Sequence, residues 1–239
     1  MTDLLYQTDS YLATFNAVVM AVDGENQGIV LNQTAFYPGG GGQPADRGIL
    51  TANGIDYGIT RAKKVSDSVL HILEGEHPLS AGMSVSGHID WEYRYQLMRT
   101  HTAMHILCGV IWRDYGASVT GGDMEPLRGR MDFEFETMRQ ELVKEIEEKI
   151  NAEVDAAREV QIAILPREEA FQVPDLIRTK INLLPDGIEQ VRTVEIVGLD
   201  LQADGGTHVR NTAEVGHLRV VDYKSKGKIN KRVYLEVEA

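Results

Sequence analysis

The chain has 239 residues, a formal net charge of −12 and one cysteine, Cys108. That length supports a real core without disulfide staples, and none can form within the chain. The charge argues against loose, charge-driven binding to nucleic acid, and no stretch approaches the roughly 18 apolar residues of a membrane span.

Met1–Ser10 carries no basic segment followed by an apolar run. The expectation is therefore a cytoplasmic protein without a membrane partner. Residues 1–88 read as β-structure: Tyr11–Val22, Gly28–Leu31 and Val69–Leu73 are short apolar runs separated by Gly, Asn and Asp turns. Asn53-Gly54 is a hairpin signal. A small barrel or sandwich is the natural product.

The pattern changes after His88. Asp90 is a good N-cap, Trp91–Tyr115 carries a helical period, and Gly116 suits its end. Thr100 or Thr102 is a candidate break within it. Arg130–Phe135 alternates as a strand, Thr137–Arg158 as a charged amphipathic helix. Val160–Leu165, Glu189–Val197 and Leu218–Val237, interrupted at Gly227, read as strands. The reading is α+β with two domains: a β-barrel domain over 1–88 and an α+β domain over 89–239.

Three short elements carry chemistry. His101 and His105 lie four apart on the predicted helix, so both rings face one way and can bind one metal ion. The metalloprotease pattern fails, because Thr102 stands where a Glu would follow the first His. The second element is Asp204-Gly-Gly-Thr-His208, an acid and a histidine flanking paired glycines. The third is Gly39, Gly40, Gly41 and Gly42 followed by Gln43, whose bare amides can cradle an anion or receive a surface at close range. It lacks the Lys and Ser/Thr of a nucleotide-binding P-loop.

Together, Thr34-Ala-Phe-Tyr-Pro-Gly-Gly-Gly-Gly-Gln-Pro44, His101-Thr-Ala-Met-His105 and Gly205-Gly-Thr-His-Val209 resemble the editing domain of alanyl-tRNA synthetase and its free-standing relatives, the AlaX proteins. The resemblance covers nearly the whole chain from about Thr34. It implies one zinc ion per chain, with His101, His105 and His208 as ligands and as the catalytic set. It implies hydrolysis of the ester joining serine or glycine to alanine tRNA. The relatives carry Cys at the fourth ligand position, and here that position is Asp204. Water, Gln202 and Cys108 are the other candidates, Cys108 reading more simply as a core thiol. Thr34, the four glycines, Gln43 and Met104 are the substrate-binding candidates. Thr34 would bond a serine hydroxyl, and Met104 would narrow the pocket.

The alternative is a zinc-stabilised module that binds tRNA or a protein without catalysis. A tRNA partner needs a basic face despite the net charge. The candidates are Lys224–Arg232, the cluster Arg61, Lys63 and Lys64, and the pair Arg94 and Arg99. The oligomeric state is left open.

Overall fold

In the computed structural model, residues 1–178 and 187–238 are described. They cluster into two compact units, Met1–Tyr95 and the chain from Gln96 onward. The first unit holds β1 (Asp3–Leu4), β2 (Thr14–Asp23), β3 (Gly28–Leu31), β4 (Gln33–Thr34), β5 (Gly48–Ala52), β6 (Ile55–Val65), β7 (Ser68–Leu73) and β8 (Ser84–Ile89). Six of these close into a barrel in the order β2-β3-β7-β6-β5-β8, and β1 pairs with β4 in parallel beside it. Closure leaves the barrel no open edge.

Alternation explains the barrel core. Phe15, Ala17 and Val19 of β2 point inward, as do Ile29 and Leu31 of β3, Leu50 and Ala52 of β5, and Val85 and Ile89 of β8. The β5–β6 turn is Asn53-Gly54, with φ of +50° and +76° between the paired Ala52 and Ile55. Positive φ at both turn residues matches the right-handed twist of the strands it joins.

Helix α1 runs from Trp91 to Tyr115. The Tyr93 N–H donates to the Asp90 carboxylate at 3.2 Å, and Gly116 ends the helix with φ +62°. The expected break at Thr100 or Thr102 does not occur. The Thr100 hydroxyl donates back to the Gln96 carbonyl at 2.8 Å, and the Thr102 hydroxyl meets His208 at 3.1 Å. Both are satisfied without opening the backbone ladder. Thr100 to Ile111 is buried on every face, so this is a core helix rather than a surface one.

The second unit continues with β9 (Val119–Glu125), β10 (Arg128–Glu134), α2 (Gln140–Asp155), β11 (Val160–Pro166), α3 (Arg167–Ala170), β12 (Gln190–Ile196), β13 (Asp200–Ala203), β14 (Leu218–Ser225) and β15 (Asn230–Val237). An antiparallel sheet runs β14-β15-β10-β9, and a three-stranded one runs β11-β12-β13. Helix α2 packs on β14, and its buried face includes Val143, Ile146, Ile150 and Val154. Glycines set the close approaches. A Cβ on Gly129 of β10 would lie 2.9 Å from the Met104 sulfur, and one on Gly109 of α1 would lie 2.9 Å from the Asp200 Cβ. The whole is mixed α and β with a six-stranded barrel, as the alternating and helical periods indicate.

Candidate metal centre

Helix α1 presents His101 and His105 one turn apart, and the loop after β13 brings Asp204 and His208 to them. Donor atoms of the four residues lie within 4.8 Å of one another. The His101 and His208 rings stack with centroids 4.2 Å apart, and His105 lies 5.1 Å from His101 and 4.7 Å from His208. The Asp204 carboxylate spans the group: Oδ2 is 3.0 Å from His208 Nε2 and Oδ1 is 3.5 Å from His101 Nε2. Oδ2 also accepts the Gly206 N–H at 2.7 Å, which fixes the turn of the glycine pair.

All three rings are buried. Burial holds His101 well below the ordinary histidine value and His208 down to about 4. Burial acts on His105 in the same direction, but the Asp200 and Asp204 carboxylates outweigh it and raise its pKa. Burial also opposes ionisation of Asp204, and the surrounding imidazoles outweigh it, leaving the carboxyl well below its usual range. Lone pairs on His101 and His208 beside an ionised Asp204 are what a divalent ion requires.

The ligand candidates named from the sequence separate here. Asp204 stands in the cluster. Gln202 instead donates to Asp200 Oδ2 at 2.5 Å. Cys108 is buried outside the cluster, and burial pushes its thiol well up. Three neighbours escaped the sequence reading. The Thr102 hydroxyl meets His208 Nδ1, Asp200 Oδ2 lies 3.3 Å from His105 Nδ1, and Arg192 Nη1 donates to the Asp204 carbonyl at 2.8 Å. Thr102 and Asp200 come from elements distant in sequence from the histidines they meet, and Arg192 reaches Asp204 across the β12–β13 pairing, so no local pattern marks them.

Met104 is buried on α1, and its sulfur and methyl fill the notch left by Gly129 and Gly122. In the barrel unit, Thr34 is buried. His71 Nδ1 donates to the Ile29 carbonyl at 3.2 Å, and burial holds this ring's pKa down to about 4. Its Nε2 is then an acceptor, so the Thr34 hydroxyl donates to it at 2.8 Å while accepting the Phe36 N–H at 3.1 Å. Thr34 keeps one lone pair and no proton to offer.

The glycine-rich loop has a defined shape. Gly39 to Gly42 all take positive φ, at +81°, +137°, +58° and +90°. Gly40 and Gln43 exchange backbone hydrogen bonds of 3.1 and 2.9 Å, and the Tyr37 hydroxyl donates to the Gly40 carbonyl at 2.9 Å. Gln43 is buried, whereas Gly40 and Gly41 are exposed. At the loop base Tyr37 and Asp46 bond reciprocally, and buried Arg94 pairs with Asp46 and donates to the Ser10 and Ala35 carbonyls.

That role removes Arg94 from the expected basic face. Arg99 is also committed, donating to the Val215 carbonyl at 2.9 Å and to that of Glu238. Within Lys224–Arg232, Arg232 makes a two-point pair with Asp132 at 2.6 and 2.7 Å, Lys224 pairs with Asp222 at 3.0 Å, and Lys231 is buried. Lys226 and Lys228 are exposed. Cross-strand register, which places Asp132 opposite Arg232, neutralises that arginine.

Among the described residues, no helix is long and apolar enough to cross a membrane. The family model for class II (A) tRNA synthetases matches residues 7–93, and that for the threonyl and alanyl tRNA synthetase second additional domain matches residues 191–234. The chain is 39% identical over 242 residues to an alanyl-tRNA editing protein, AlaX-M, of Saccharolobus solfataricus, covering 100% of both. It is 36% identical to the AlaX-M protein of Methanosarcina barkeri, covering 98% of each chain. An alanine–tRNA ligase of Ignicoccus hospitalis is 37% identical over 92% of this chain, which spans 24% of that longer protein. Identity at this level from end to end decides the matter: the chain belongs to the AlaX-M family of alanyl-tRNA editing proteins.

Proposed function

We propose that the protein is a trans-editing hydrolase that deacylates mischarged alanine tRNA, removing serine and also glycine, with one zinc ion held by His101, His105, His208 and Asp204. The observation that carries this reading is the convergence of four donors within 4.8 Å in a chain of this family. Three imidazoles and one carboxylate suit zinc, which takes nitrogen, oxygen and sulfur donors in fours. The carboxylate stands where the relatives' pattern has a thiolate, and it keeps one negative charge in the donor set.

When bound, zinc supplies Lewis acidity to an ester carbonyl or to a water. The chain's own residues do the remainder. Thr102 holds the His208 ring, and Arg192 anchors the backbone of Asp204. Thr34 is assigned the recognition of serine. Its remaining lone pair can accept a hydrogen bond from a serine hydroxyl, and alanine has no hydroxyl to donate one. A site that bonds a hydroxyl rejects the analogue lacking it more sharply than an apolar pocket does. Gly39 to Gly42, Gln43 and Met104 are assigned as further substrate contacts. No side chain of the cluster is assigned as a general base.

Deacylation of Ser-tRNA(Ala), Gly-tRNA(Ala) and Ala-tRNA(Ala) by the purified protein tests the reading. Hydrolysis of the first two with Ala-tRNA(Ala) spared is expected. Binding of all three with no hydrolysis would establish the non-catalytic module instead.

A further inference from the structure

We propose that Asp200 is the positioning residue of this centre: its carboxylate holds the His105 ring with the proton on Nδ1, so that Nε2 is the donor, and residue 109 is glycine so that Asp200 can reach it. The proposal rests on reading the cluster as a metal centre.

Asp200 opens β13, and its side chain is buried with Oδ2 3.3 Å from His105 Nδ1. That nitrogen is buried and has no partner of full hydrogen-bond geometry among the described residues, which leaves the 3.3 Å approach of the carboxylate to serve it. A buried carboxylate needs its charge balanced. Arg178 supplies the balance, with Nε 3.4 Å from Asp200 Oδ1 and its guanidinium 4.7 Å above the Trp112 ring. The Gln202 amide donates to Oδ2 and fixes the carboxylate plane. The acceptor facing His105 is thus held from two other sides.

The approach depends on α1. Residue 109 lies one turn beyond His105 on the same helix face. A Cβ there would lie 2.9 Å from the Asp200 Cβ, 2.9 Å from the Leu199 Cγ and 3.2 Å from the Leu199 carbonyl. Any larger residue displaces the β12–β13 hairpin and, with it, the carboxylate. The sequence signature is then His-x-x-x-His-x-x-x-Gly along one face, closed by an acid from another element. A ligating histidine whose second nitrogen is held by a carboxylate is better oriented and more basic, and loss of such a partner typically costs metal affinity about 10–100-fold.

The test uses the full chain as D200A, D200N and G109A beside wild type. Zinc affinity is read by competition with a chromophoric chelator, folding by thermal melting, and the His105 proton by long-range ¹H–¹⁵N spectra of metal-free protein at about pH 8, where free imidazoles are neutral. Wild type should hold the proton on Nδ1. D200A and G109A should shift it toward Nε2 and weaken zinc binding about 10–100-fold, with D200N weakened less. If D200A does not fold, D200N and G109A carry the test. A role confined to pairing with Arg178 would lower the melting temperature yet leave the proton position unchanged and zinc affinity within about twofold, and that result overturns the proposal. Wild type that binds no zinc would overturn the metal reading itself, and the proton position alone would then decide the role of Asp200.

Discussion

Both units bury histidine, and they do so differently. In the barrel, His71 stands alone, with each ring nitrogen bonded to one protein group, Ile29 or Thr34. In the second unit three rings and a carboxylate crowd together with donor atoms within 4.8 Å. The first is a neutral strut inside a core. The second gathers like groups that repel one another when protonated, an arrangement that costs stability unless something binds between them. Burial of a histidine is therefore no sign of function by itself, whereas convergence of several is.

The sharpest way to break this contrast is to remove the convergent pair. His101→Ala with His105→Ala should take zinc from about one per chain to near zero, and Ser-tRNA(Ala) deacylation should fall at least about 100-fold. Elemental analysis and a deacylation time course check both, and equal zinc in mutant and parent would contradict the assignment.

His71 offers the next largest effect and a different readout. Its folded pKa is depressed to about 4 by burial, so the unfolded chain binds the extra proton first as pH falls. Its contribution is complete above the unfolded value of 6.5 and drains away between about pH 6.5 and 4, roughly 3 kcal/mol in all. Denaturant titrations across that window should show a slope that His71→Gln flattens, with zinc content at neutral pH unchanged.

Thr34→Val keeps the shape and removes the lone pair. Discrimination between Ser-tRNA(Ala) and Ala-tRNA(Ala) should narrow by about 1–3 kcal/mol in kcat/KM with zinc content intact. Unchanged rates for both substrates would free the barrel from any part in substrate choice. Gly41→Ala is the mildest change. Nothing lies within 4 Å of the added Cβ, but φ of +58° costs an L-residue about 1–2 kcal/mol. Melting should record that loss, and zinc content should not move.

Much of this organisation is legible in the sequence where the signal is local. Asp90 and Gly116 bracket α1 because a cap and a stop act on neighbouring backbone, and Asn53-Gly54 sets its hairpin for the same reason. His101 and His105 are legible from helical spacing, and Asp204 with His208 from the glycine pair between them. What depends on distant strands is not legible. Strand β13 has four residues and no period to read. Asp200 meets His105, and His71 meets Thr34, only through tertiary packing. Within Lys224–Arg232 the loss of Arg232 is not legible, because Asp132 arrives by strand register, nor is that of Arg94, because Asp46 arrives from the base of the glycine loop.

The most direct test of the central claim is a zinc titration of metal-free protein, followed by Ser-tRNA(Ala) deacylation at each addition. The account predicts negligible activity without metal, rising in proportion to added zinc and levelling at about one ion per chain. Full activity in protein shown by elemental analysis to hold no metal would contradict it.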